Sequence, residues 1–87
     1  MTASYSLQIK RSAQKELRAL PKTDLPKVVE RIQRLAADPH PPGSQKLSGQ
    51  PQYRYRQGDY RILYTIDEAE RAIEIIKIGH RREVYRG

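Results

Sequence analysis

Between residues 53 and 64 the chain reads Tyr-Arg-Tyr-Arg-Gln-Gly-Asp-Tyr-Arg-Ile-Leu-Tyr, and between 78 and 85 it reads Ile-Gly-His-Arg-Arg-Glu-Val-Tyr. If Gly58-Asp59 is a two-residue hairpin turn, Arg54, Arg56 and Arg61 share one face, because side chains alternate along a strand. Arg56 then lies opposite Arg61, and three guanidinium groups converge. Like charges facing each other weaken a bare sheet, so a fold that keeps them has a polyanion to set against them. Arg81 and Arg82, past the next apolar run, extend the cluster; a guanidinium grips phosphate oxygens with paired donors and keeps its charge at any working pH. Lys46 and Lys77 are weaker candidates for the same role, each equally readable as a solubilising charge.

His80 lies between Gly79 and Arg81, beyond the end of the last strand. An imidazole of ordinary acidity exchanges protons near neutrality, so His80 is a candidate base. A strand-end histidine bonded to backbone is the plain alternative, and both readings stand. Tyr85 follows the basic run past the last strong apolar residue, where a phenol has little core to fill. It is open to a role in positioning a nucleotide or to surface packing. Tyr55, Tyr60 and Tyr64 read as packing residues, and His40, in a proline-rich segment, as exposed.

The elements that must position these residues follow from periodicity. Residues 5 to 10 alternate Tyr5, Leu7 and Ile9 against polar neighbours and predict a half-buried strand. Ser12 reads as a helix N-cap with Glu16 near the capping-box position, and Ala13, Leu17 and Leu20 recur at helical spacing up to Pro21. A second helix runs from Thr23 or Asp24 to Asp38, with Pro26 in its first turn. Its apolar stripe is Leu25, Val28, Val29, Ile32, Leu35 and Ala36, leaving Lys27, Arg31 and Arg34 outside. Pro39, Pro41, Pro42 and Gly43 stop it, so residues 39 to 52 are expected to be a loop or short turn.

After the hairpin comes a polar connection, Asp67 to Glu70. Ile73, Ile75, Ile76 and Ile78 then predict a strand that is apolar on both faces and so belongs in the sheet interior. Tyr60, Ile62 and Tyr64 face the core, while Arg61 takes the solvent parity and contributes little packing. The expected fold is α+β: an N-terminal strand, a two-helix hairpin and a mostly antiparallel three-stranded meander, with helices on one face and the arginines on the other.

The chain has 87 residues, 17 Lys plus Arg against 10 Asp plus Glu, and a net charge of +7, which allows one small domain over residues 1–87 and favours a phosphate-bearing partner. It has no cysteine and two histidines, so disulfides and thiolate metal sites are excluded and a dedicated zinc site is not expected. No apolar run suits a bilayer span or an export signal, and a cytoplasmic protein is expected.

With these motifs in place, the sequence resembles the RelE/ParE toxin superfamily, and specifically the RelE branch of bacterial toxin–antitoxin systems. The likeness covers nearly the whole chain: opening strand, helical hairpin, Lys46-Leu47-Ser48-Gly49, the Tyr53 to Ile66 hairpin and the segment from Ile76 to Arg86. It implies a RelE-like four-stranded sheet and a metal-independent, cofactor-free endoribonuclease that cuts mRNA in the ribosomal A site and inhibits translation. The implied partners are a small acidic or disordered antitoxin, the 70S ribosome and its mRNA, with operator DNA bound only through the antitoxin complex.

By motif, the family's active-site residues fall on Arg54, Arg56, Arg61, Arg81 and Tyr85. Well-known members carry lysines in the second strand, where this chain has Gln52 and Arg54. A guanidinium is not deprotonated at neutral pH, so that strand supplies no base and the identity of the proton acceptor stays open, His80 being one reading.

In RNA the 2′-hydroxyl beside the scissile phosphate attacks in line, giving a 2′,3′-cyclic phosphate and a 5′-hydroxyl. The protein must align the strand and stabilise charge on the phosphorane. Arg61 and Arg81 suit that clamp, Arg54 and Arg56 the backbone, with Lys46, Lys77 and Arg82 around them. Tyr85 suits orientation of the nucleotide. Two other readings remain: a ParE-like DNA gyrase poison, and a non-catalytic nucleic-acid-binding domain.

Overall fold

The computed structural model describes residues 4–80. The alternating Leu7 and Ile9 form β1 (Ser6–Ile9), followed by α1 (Arg11–Arg18) and α2 (Leu25–Ala37). Asp24 is the N-cap of α2, Pro26 lies in the first turn, where its missing N–H costs no helical hydrogen bond, and Asp38 closes the helix in extended backbone. α1 departs from expectation. Its N-cap is Lys10, without a side-chain cap, and Ser12 lies inside the helix.

Residues 39 to 52, expected as a loop, contain the short strand β2 (Ser44–Lys46), so the sheet has five strands rather than four. Three residues are too few to display a period of two, and the surrounding prolines and glycines hide them further. β3 (Tyr53–Gln57), β4 (Tyr60–Asp67) and β5 (Ala72–His80) form the expected antiparallel meander. The order is β1-β5-β4-β3-β2, with β1 parallel to β5, which places the isoleucine-rich strand inside the sheet. The fold is α+β, and among the described residues no helix is long and apolar enough to cross a membrane.

Both helices cover the same face. Ala13 of α1 and Val28, Ile32 and Leu35 of α2 pack on Tyr55, Ile62, Tyr64, Ile73, Ile75 and Ile78, which form the core. Ile75 and Ile78 are three residues apart yet share that face, because β5 carries a bulge: Leu63 faces Lys77 while Tyr64 faces Ile75, leaving Ile76 as the extra residue. The bulge therefore moves Lys77 to the opposite face.

At the bulge β1 has already ended, and part of the β5 edge lacks a strand partner. Glu16 supplies one, accepting from the Ile78 N–H at 2.9 Å and from Lys77 Nζ at 3.4 Å. The residue read from sequence as part of a capping box is instead an edge cap for the sheet. Arg31, expected on the outer side of α2, turns inward. Its Nε donates to Gln57 Oε1 at 2.6 Å and its Nη1 to the Tyr55 hydroxyl at 2.8 Å.

Tyr64 is fully buried and its hydroxyl donates to the Pro39 carbonyl at 2.8 Å. Burial, above all, pushes its phenol up from the ordinary 10.0 to about 12. The folded state thus holds this proton more tightly than the unfolded chain does. The associated stability is complete below pH 10 and is lost as pH rises towards about 12, a loss of about 2–3 kcal/mol for a shift of that size. Tyr64→Phe should be about 1 kcal/mol weaker at neutral pH for want of the Pro39 bond, yet lose less stability over the alkaline range. Denaturant titrations at neutral and alkaline pH check this, and parallel losses in both proteins would refute it.

Candidate nucleic-acid interface

The hairpin turn fixes the site. Gln57 pairs with Tyr60 across Gly58-Asp59, and Gly58 has φ of 59° while Asp59 does not adopt positive φ, the sign pattern of a type II′ turn with glycine first. Two residues in the turn place Arg56 directly opposite Arg61, as the parity argument required. Arg54 lies opposite Leu63, on the same face.

That face, which neither α1 nor α2 covers, is ordered in rows across the sheet. One row is Gly79, Arg61 and Arg56, and the next is Lys77, Leu63, Arg54 and Gln45. Gln45, which no periodicity pointed to, accepts a hydrogen bond from Arg54 Nη2. Beyond the bulge the chemistry changes: Gln8, Glu74 and Thr65 form a third row, and Ala72 and Asp67 lie in a fourth with Ser6.

Arg61 differs from the sequence expectation. It takes the predicted parity but is only 5% exposed, and its Nε is buried without a hydrogen-bond partner among the described residues. A charged, buried donor left unpaired is costly in a fold unless something arrives to pair it. Arg56, by contrast, is exposed, so a phosphate reaching Arg61 meets Arg56 first.

The other candidates divide. Lys77 joins the basic face at Leu63, although its ammonium bends to Glu16. Lys46 is exposed on the edge strand and shares parity with Tyr53 and Tyr55, so it projects from the helix side and is not brought together with the arginines. His80 is the last residue of β5 rather than a residue beyond it, pairing with Tyr60 and meeting that ring edge-on at 6.2 Å. Its parity is that of Ile78, on the helix side of the sheet, where it lines a cleft of about 310 Å³ with Asp24 and Tyr60. Asp24 accepts from the Tyr60 hydroxyl at 2.8 Å, tying the start of α2 to the hairpin. Arg81, Arg82 and Tyr85 lie outside the described residues.

His40 is half exposed but not idle. It meets Glu68 at 3.3 Å and the Tyr53 ring edge-on at 5.3 Å, and Glu68 also accepts from the Tyr5 hydroxyl at 2.6 Å. This cluster, at the end of the sheet away from the hairpin turn, holds the β4–β5 turn to the opening strand. The Tyr5 bond first, and the His40 bond second, hold the Glu68 carboxyl below its usual range.

Comparison with known proteins agrees with this architecture. The family described as ParE toxin of type II toxin-antitoxin system, parDE, matches over residues 7–85. Toxin RelG of Mycobacterium tuberculosis is 31% identical over 86 residues, covering 94% of this chain and 97% of its own. The archaeal RelE-RelB complex from Pyrococcus horikoshii OT3 superposes with a TM-score of 0.79 at 32% identity, covering 93% of this chain and 97% of the matched one. The RelBE2 toxin-antitoxin complex from Mycobacterium tuberculosis gives 0.80 at 28% identity, covering 90% and 99%. On the family match and these relatives together, the chain belongs to the RelE/ParE superfamily of type II toxins.

Proposed function

We propose that this protein is the toxin of a RelBE-type pair and acts as a ribosome-dependent endoribonuclease, cutting mRNA in the A site through attack of the 2′-hydroxyl on the adjacent phosphate. The observation that carries this reading is the buried guanidinium of Arg61, its Nε without a partner among the described residues, set among Arg54 and Arg56 on the face the helices leave open. Such a group is fixed before the substrate arrives, so it stabilises charge developing on the phosphorane without reorganising. Arg56 and Arg54 hold the flanking backbone. Arg81 and Tyr85 complete the site by family motif. His80, which projects from the other side of the sheet, carries no part of this mechanism.

The chemistry asks for neither a protein nucleophile nor a metal, since RNA supplies its own nucleophile; what it asks for is alignment in line, which the ribosome shares by presenting the codon. The partner that silences it is a cognate antitoxin, acidic or amphipathic and disordered alone, ordering as it wraps the basic face. Cleavage that persisted at full rate in a saturated complex would contradict that assignment.

The test is purified protein on programmed ribosomes with mapping of RNA ends. In-frame cuts with 5′-hydroxyl ends support the reading. A second reading, a gyrase poison, takes support from the ParE description of the matching family; intact mRNA with DNA breaks in treated cells would establish it instead. Binding should also weaken with salt. Four to six neutralised phosphates give a slope of log K on log salt of about −3 to −4, from roughly 0.7 per phosphate, and a flat dependence would remove the electrostatic argument.

A further inference from the structure

We propose that Glu74 ends the phosphate track on the open face, so that a bound strand crosses β5, β4 and β3 rather than running along them. This rests on the reading of that face as the RNA site. The two rows nearest the hairpin turn carry Arg61, Arg56, Lys77 and Arg54, whereas the next row carries Glu74 beside Thr65 and Gln8, and the last carries Asp67. Charge therefore changes sign along β4 between Leu63 and Asp67.

Distances decide what fits. Residues two apart on a strand are about 6.6 Å apart, and neighbouring strands about 4.8 Å. The basic patch is thus about 7 Å deep along the strands and about 10 Å wide across them. A strand laid along β4 would bring a phosphate level with Thr65 and Glu74 within about 13 Å of Arg61. Glu74 is exposed, and no hydrogen bond or ion pair ties its carboxylate among the described residues, so its charge faces whatever approaches. Asp67 is partly occupied, accepting the Glu70 N–H at 3.0 Å, which leaves Glu74 as the main repulsive group.

A strand that crosses the sheet past Lys77, whose ammonium is shared with Glu16, and on through Arg61 to Arg56 meets basic side chains and no carboxylate residue belonging to those two rows. Past Arg56 it leaves over an open edge, because β2 pairs only with Tyr53 to Tyr55. Repulsion at one end of an attractive surface is a common way to fix register, since it penalises the wrong placement rather than rewarding the right one.

The experiment measures binding of non-cleavable 2′-O-methyl oligonucleotides of increasing length, by fluorescence anisotropy at several salt concentrations. For the wild type, affinity should level off at a short length. Glu74→Lys should move that plateau to longer oligonucleotides and steepen the salt slope by about 0.7 for each phosphate gained. Glu74→Gln should lie between, and guards against an effect peculiar to lysine. Glu30→Lys, an exposed position on α2 with the same change in net charge, should leave the plateau where it is. Arg56→Gln should weaken binding at every length.

If Glu74→Lys leaves plateau and slope unchanged while Arg56→Gln weakens binding, the boundary is refuted and the RNA face stands. An equal effect of Glu30→Lys would also refute it, reducing the result to net charge. If neither Glu74→Lys nor Arg56→Gln alters binding, the open face is not the track and both readings fall.

Discussion

Arg61→Met is expected to lower mRNA cleavage on programmed ribosomes by on the order of 10²–10³ without loss of the fold, the usual cost of removing one preorganised donor from developing charge. The choice of methionine follows from burial. Arg61 is only 5% exposed, so alanine would remove stem packing as well as charge, while methionine keeps an unbranched apolar stem. The guanidinium itself lies opposite Arg56 with no hydrogen bond to its Nε among the described residues, and exchanging a buried, poorly paired charge for an apolar group is often stabilising. The melting temperature of Arg61→Met should therefore equal or exceed that of the wild type. A wild-type cleavage rate in this variant would remove Arg61 from the site; a lower melting temperature would mean that an interaction of its guanidinium stabilises the fold.

What the sequence made legible depended on the length of each signal. The hairpin was readable because a Gly-Asp pair sits between two runs of strict alternation, and the two-residue turn made the Arg56 and Arg61 pairing a matter of parity. The α2 stripe was readable over more than three turns, and its caps were where Asp24 and Asp38 suggested. β2 was not, because three residues carry no period.

The β5 bulge was hidden for a different reason. Ile75, Ile76 and Ile78 are compatible with either face, and only pairing with β4 selects Ile76 as the extra residue. With the bulge unknown, Lys77 takes the parity of Ile75; with it, Lys77 faces Leu63. The same kind of tertiary choice turned Glu16 from a helix cap into an edge cap and Arg31 from an outer residue into a partner of Gln57 and Tyr55. Burial of Arg61 was illegible too. Alternation assigns a face but says nothing of how deeply neighbouring side chains cover it.

Ile62→Ala gives the opposite failure one residue away. Ile62 is fully buried, lies between Tyr55 on β3 and Ile78 on β5, and belongs to the cluster that receives Val28 and Ile32 from α2. Truncating it removes apolar burial and leaves a cavity in a sheet that neighbours on both sides hold rigid, at a cost of roughly 2–5 kcal/mol. A domain of this length has a total stability of roughly 4–13 kcal/mol, so the loss is a large fraction of the whole. At roughly 4–8 °C per kcal/mol, the melting temperature should fall by at least about 8 °C. Yet the Ile62 side chain points away from the arginine rows. Assayed well below its own melting point, Ile62→Ala should cut ribosome-bound mRNA at close to the wild-type rate and lose activity only as it unfolds. Thermal melting followed in parallel with cleavage separates the two. A cold, folded Ile62→Ala protein that failed to cut would mean that the core side of β4 takes part in the chemistry, contrary to the division of faces on which the site rests.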